Sequence, residues 1–117
     1  MKKAAIYDLN NTLRKKSGAP RHNTLKRAEK DEKKEKILIL SGESVKDKDE
    51  ARDWLDEHHL KEAELYMRPK NEQAHDEVEK SHILNKISRQ FKINKAYDDK
   101  PSNVKMFKAH GIKAKEV

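Results

Sequence analysis

Asp8, Asn10 and Thr12 stand at alternate positions in the segment YDLNNTL, directly after the short apolar run Ala4-Ala5-Ile6. A carboxylate at the end of a buried strand is a candidate nucleophile or cation ligand. Asn10 has nearly the size and shape of a second acid, but an amide neither gives nor takes a proton. Many phosphate-handling sites carry an acid in its place. Two further apolar runs end in the same manner. ILIL, at 37–40, runs into Ser41-Gly42, and the run ending at Tyr97 runs into Asp98-Asp99. Each has a plainer reading: Asp98-Asp99 as a turn leading into a helix, Ser41 as a turn residue, Lys80 as one surface lysine among many.

The elements that must position these residues are legible as alternating patterns. Five short apolar segments read as strands, at about 3–8, 37–40, 64–67, 94–98 and 112–117. The first, second and fourth read as buried runs, the type found in parallel sheets. Helical spacing fills the gaps. Asn23 or Thr24 can cap a helix that turns Leu25 and Ala28 inward and runs to about Lys34. Asp47 can start a second, with Ala51, Trp54, Leu55 and His58 along one side. A third, over about 74–90, carries Ile83, Leu84, Ile87 and then Phe91. The fourth begins near Pro101-Ser102, turns Val104 and Phe107 inward and stops at Gly111.

Strand and helix in strict alternation predict an α/β domain over residues 1–117, a doubly wound five-stranded parallel sheet with four helices joined by right-handed crossovers. Such sheets bind ligands beyond the carboxyl ends of their strands, near the point where strand order reverses. Asp8, Ser41 and Asp98-Asp99 all fall at those ends.

Composition sets limits. The chain has 117 residues, of which 33% are apolar and 42% charged, with a net charge of +7. That excess favours polyanionic partners, although a lysine-rich solvated surface accounts for it as well. Much of it lies in Arg14, Lys15, Lys16, Arg21, Lys26 and Arg27. Without cysteine there is neither a disulfide nor a thiolate zinc site, and no apolar run approaches a membrane span; a cytoplasmic location is expected. One Trp, three Tyr and two Phe make a poor stacking platform for single strands, leaving Tyr7 or Tyr66 to serve one base.

Taken in order, the motifs resemble those of haloacid dehalogenase (HAD) superfamily phosphatases. YDLNNTL resembles the first, an apolar strand followed by Asp-x-Asp-x-Thr, with Asn10 in the place of the second Asp. ILILSG resembles the second, Lys80 the third, and AYDDKPSNV, with Asp98, Asp99 and Asn103, the fourth. Within the superfamily the chain is similar to the phosphatase domain of phage polynucleotide kinase-phosphatases, through YMRP (66–69) and Asp76-x-x-x-Lys80. The spacer between the first two motifs is shorter than that likeness implies, and His75 stands about where an arginine would be.

The resemblance implies hydrolysis of phosphomonoesters through an aspartyl-phosphate on Asp8. It implies Mg²⁺ held by Asp8, the Asn10 backbone carbonyl and Asp98 or Asp99, with Lys80 bridging nucleophile and phosphoryl oxygen. Ser41, Gly42, Asn11 and Thr12 then surround the phosphate, and Arg68 contacts substrate. The second acid of the first motif protonates the leaving oxygen and later activates water, so Asn10 implies a strongly impaired enzyme. Two origins fit: an Asp→Asn substitution in an active parent, which the integrity of the other motif positions favours, or a natural pseudophosphatase.

About 23 residues separate Leu13 from the second strand, too few for a substantial cap, so an open site is expected. An open site and basic surroundings suit the 3′-terminal phosphate of a nucleic acid in repair; free nucleotides and small phosphate esters are the other substrates to weigh. The competing classes are a nucleic-acid-binding protein that reuses the fold, and a receiver domain. A receiver would carry its acidic pair with the first strand and its lysine after the last.

Overall fold

The computed structural model describes residues 1–69 and 75–117. Five strands form one parallel sheet: β1 (Lys2–Tyr7), β2 (Lys36–Ser44), β3 (Glu64–Arg68), β4 (Phe91–Asp98) and β5 (Lys113–Glu116). Four helices alternate with them: α1 (His22–Glu32), α2 (Lys48–Glu57), α3 (Asp76–Ile87) and α4 (Pro101–Ala109). The strand order is β3-β2-β1-β4-β5. The chain therefore winds outward from β1 in one direction, then returns to lay β4 against the other edge of β1. The reversal point lies between β1 and β4, where Asp8 and Asp98 stand.

Side-chain alternation sorts the helices onto two faces. Ala5, Tyr7, Ile37 and Ile39 pack with Leu25 and Ala28 of α1 and Ala51, Trp54 and Leu55 of α2. Ala4, Ile6, Leu38 and Leu40 point the other way, onto Leu84 and Ile87 of α3 and Phe107 of α4. All four residues of ILIL are fully buried, which explains the unbroken apolar run of a central parallel strand. Each such side chain contributes about 1.5–3 kcal/mol through removal from water. Among the described residues no further helix or strand is inserted as a cap; a single 3-10 turn at Val45–Asp47 precedes α2.

Several boundaries differ from the sequence expectation. Phe91 does not extend α3; the helix ends at Ile87, and Phe91 opens β4 by pairing with Lys2. β2 continues past its apolar run to Ser44, which pairs with Arg68 across a break in register. α1 starts at His22 with Arg21 before it and no side-chain cap, while Thr24 is buried within the helix. The expected start of α3 at position 74 lies outside the described residues.

Two aromatic expectations also change. Tyr7 is fully buried, stacks on Tyr97 with ring centroids 4.8 Å apart, and donates to Asp31 Oδ2 at 2.6 Å. It is a core residue and offers no base a platform. Tyr66 is half-buried and donates to Glu64 Oε1 at 2.7 Å.

Candidate active site

The loop after β1 is held from below by two leucines. Leu9 and Leu13 are fully buried against α1 and α2. The Leu9 carbonyl accepts from the backbone N–H groups of Leu13 at 2.9 Å and Arg14 at 3.1 Å, which closes a tight turn. Asn11 completes it at φ 64°, a left-handed conformation that Asn tolerates better than most residues. The Asp8 N–H donates to the Tyr97 carbonyl at 2.9 Å, so β4 fixes where the Asp8 side chain emerges.

Around Asp8 the structure assembles a dense polar cluster. Thr12 Oγ1 donates to Asp8 Oδ2 at 3.0 Å and lies 3.4 Å from Asp99 Oδ1. Lys80 Nζ reaches across from α3 to Asp8 Oδ1 at 2.9 Å and Asp98 Oδ2 at 2.8 Å, with Asp76 Oδ2 at 3.5 Å. Asn103 Nδ2, in the first turn of α4, donates to Asp76 Oδ2 at 2.8 Å and Asp98 Oδ2 at 3.1 Å. Residues from the loop after β1, from α3, from the end of β4 and from α4 thus meet at one point.

Burial drives the electrostatics. It pushes the Asp8 carboxyl up to about 8; Lys80 opposes the shift, and the Asp98 charge adds to it. Burial also works against the Lys80 ammonium, but the carboxylates of Asp8, Asp98 and Asp76 outweigh it and hold its pKa above the ordinary lysine range. Burial likewise raises Asp76, yet Lys80 and the Asn103 hydrogen bond prevail and hold it below the usual carboxylate range.

One buried ammonium therefore faces several carboxylates. Oxygens of Asp8, Asp98 and Asp99 come within 4.8 Å of one another, and Asp76 Oδ1 is buried without a hydrogen-bond partner among the described residues. An all-oxygen set with surplus negative charge suits a hard divalent cation such as Mg²⁺. The two members of the acidic pair differ. Asp99 and Asp8 line the open cleft, whereas both Asp98 oxygens already accept, from the Lys100 N–H at 3.0 Å, Lys80 and Asn103.

Asn10 sits at the cleft wall. Arg14 Nε donates to its Oδ1 at 2.7 Å, and because a guanidinium only donates, the atom facing Arg14 must be the amide oxygen. The amide nitrogen is left as the group available to a ligand. Arg14 itself is buried and ion-paired to Glu43 at 2.9 Å and Glu50 at 2.7 Å. This corrects its expected place in a basic surface: its charge is consumed within the fold.

The other sequence candidates divide. Gly42 and Arg68 line the same cleft of about 240 Å³ as Asp8, Asn10 and Asn11, and Arg68 Nε is buried with no hydrogen-bond partner among the described residues. Ser41 is buried and turned onto Glu43, accepting from its N–H at 3.2 Å. Thr12 and Lys80 lie beneath the cleft, in contact with Asp8. Gly42 has a local reason to be glycine, since a Cβ there would collide with the Asp76 carboxylate. Gly42→Ala should lower stability by about 1–3 kcal/mol, the usual cost of overpacking. Urea denaturation reads it directly, and an unchanged midpoint would contradict the close approach.

Sequence reasoning left Asp76 and Asn103 outside the site and passed over Glu43 altogether. The signals for the first two were present: an acid four residues before Lys80 on one helix face, and an amide five residues after Asp98. Glu43 and Glu50 gave none, because what joins them is Arg14, distant in sequence.

The chain matches a family model of HAD-type phosphatase domains along its whole length. The chain belongs to the family described as the polynucleotide kinase PNKP phosphatase domain, which it matches over residues 1–117. No curated protein matches it in sequence. Among solved structures, a chain of the Pnkp1/Rnl/Hen1 RNA repair complex superposes with a TM-score of 0.91 at 20% identity, covering 100% of this chain and 42% of that one. A second chain, from another structure of the Pnkp1/Rnl/Hen1 complex, gives 0.90 at 20% identity, covering 100% and 46%. The present chain thus spans less than half the length of those proteins, and at that identity they show the fold alone.

Proposed function

We propose that this chain is a Mg²⁺-dependent phosphomonoesterase domain for the 3′-phosphate ends of nucleic acid, strongly impaired by Asn10. The observation that carries the reading is Asp8 itself, buried at the strand-order reversal and touching both Lys80 and Thr12. Asp8 attacks phosphorus; an Asp8 oxygen–phosphorus bond forms as the ester bond breaks. Lys80, already against the nucleophile, neutralises charge on it and on a phosphoryl oxygen. Mg²⁺, held by Asp8, Asp99, Asp98 and the Asn10 backbone carbonyl, would supply the positive charge that lets a carboxylate approach a phosphate dianion. Gly42, Asn11 and the Arg68 guanidinium bound the space left for the phosphoryl oxygens. Asn10 presents an N–H where proton transfer is required, which permits binding and withholds turnover.

A nucleic-acid end is favoured over a small ester by the absence of a cap among the described residues and by the exposed lysines beside the cleft. That the matched family is of polynucleotide kinase phosphatase domains, and that RNA repair complexes share the fold, supports the same substrate class.

The test is to give a 3′-phosphorylated oligonucleotide to the Asn10→Asp form with Mg²⁺. Inorganic phosphate and a 3′-hydroxyl end should appear, and adding Asp8→Asn should abolish both. An Asn10→Asp form as inert as the present chain would rule out the enzymatic reading.

A further inference from the structure

The cleft at Asp8, of about 240 Å³, has room for a phosphoryl group and its ester oxygen. Sites that enclose whole small molecules run about 300–1,000 Å³, so a nucleoside must lie outside it. Where it goes is constrained by a second, larger cleft of about 490 Å³, which shares Asn10, Asn11 and Glu43 with the first as a common wall. Its far side is the turn Lys15-Lys16-Ser17-Gly18.

This turn is firmly built. Trp54 Nε1 donates to the Gly18 carbonyl at 2.8 Å, Lys15 N–H to Ala19 at 2.7 Å, and Gly18 N–H to Lys15 at 2.9 Å. Gly18 adopts φ +95°, which a residue with a side chain would resist. Trp54 is itself occupied on its rings, by His58 at 4.0 Å and the Arg14 guanidinium at 5.7 Å, so it supports the turn and does not stack on a base. Lys15 and Lys16 are exposed and form no ion pair among the described residues. The Glu43 and Glu50 carboxylates on the opposite wall are engaged by Arg14.

Beyond the second cleft the surface forks. One branch, past Glu50 and Trp54, is a hollow lined by Asp53 and Glu57. The other, past Lys15, is lined by Arg21 and His22. A polyanion is repelled from the first and drawn along the second.

Resting on the phosphatase reading, we propose that the second cleft receives the terminal nucleoside of a nucleic-acid strand whose next phosphodiesters run over Lys15 and Lys16 toward Arg21. The strand is bound through its backbone, independently of sequence, and reaches the cleft as a single strand.

The experiment titrates the present chain, with Mg²⁺, against a fluorescent single-stranded oligonucleotide ending in either a 3′-phosphate or a 3′-hydroxyl, over a range of KCl concentrations. Lys15→Ala/Lys16→Ala should weaken binding about tenfold and flatten the plot of log affinity against log salt by about 1.4, for two lost single-strand phosphate contacts. A matched pair on the exposed β5 edge, Lys113→Ala/Lys115→Ala, should change neither. Emission from Trp54, the one tryptophan, should respond to the oligonucleotide and not to inorganic phosphate. Equal losses from both pairs, no loss from Lys15→Ala/Lys16→Ala, or no binding at all would overturn the track. If the lysine effect holds while 3′-phosphate and 3′-hydroxyl ends bind alike, the track stands and the phosphate-specific reading of Asp8 fails.

Discussion

Asn10→Asp raises phosphate release by about 10²–10⁴-fold, the span that general acid–base help supplies. The size of the gain should depend on the leaving group. An alkoxide such as a sugar hydroxyl needs a proton as its bond to phosphorus breaks, so the full effect is expected with a nucleotide end. A nitrophenolate leaves as a stable anion, so the first step with an aryl phosphate needs the acid least. There the remaining deficit falls on the second step, in which a water attacking the phosphorylated Asp8 must lose its proton. A burst of nitrophenolate followed by slow turnover with the aryl ester, and no burst with the alkyl ester, is the expected behaviour of the present chain. Equal gains on both substrates would place the function of position 10 elsewhere. The substitution should be structurally mild, since Arg14 already donates to the side-chain oxygen at 2.7 Å and would pair as readily with a carboxylate.

Lys80→Met carries the largest stability cost. It removes the single ammonium buried among Asp8, Asp98 and Asp76, and a buried charge stripped of its partner costs about 3–5 kcal/mol. The pH dependence gives the sign. Lys80 titrates above its ordinary range in the fold, so its contribution is complete at every pH below the unfolded lysine value and is lost only in strong alkali. Asp8 is the opposite case, an acid raised to about 8. The folded chain holds a proton there that the unfolded chain releases above about pH 4, so this group's contribution to stability falls as pH rises from about 4 to 8. Without Lys80 that pKa rises further. The deficit of Lys80→Met against the parent, measured in urea, should therefore be greatest near pH 8 and shrink toward pH 5. A deficit independent of pH over that interval would mean that the ammonium does not offset these carboxylates.

The parts of the site legible in the sequence were those set by strand ends. Asp8, Ser41 and Asp98-Asp99 each interrupt an apolar run, and the end of such a run marks where the buried part of its strand stops, even where the pairing itself continues, as β2 does to Ser44. Lys80 could be placed by motif order, and Gly111 by its helix-ending position at φ +79°. What escaped was decided by partners far along the chain. Arg14 looks like its neighbours Lys15 and Lys16, and nothing local shows that Glu43 and Glu50 draw it inside while they stay out. Tyr7 looked available for stacking because its partners, Asp31 and Tyr97, arrive from α1 and β4. Phe91 fits the apolar side of α3 by spacing, but three residues of turn at 88–90 and pairing with Lys2 outweigh that periodicity.

β1 lies at the centre of the sheet, yet its second neighbour, β4, is made of residues 91–98. On a ribosome β1, made before the other strands of this sheet, would keep one edge bare until β4 had emerged. Asp8 would meanwhile wait for Lys80 and Asp98. Contacts of such long sequence separation form late and slow the search for the native state. Assembly of the surroundings of Asp8 and closure of the sheet are then one event, so a partly made chain exposes a strand edge while its polar cluster is still unassembled.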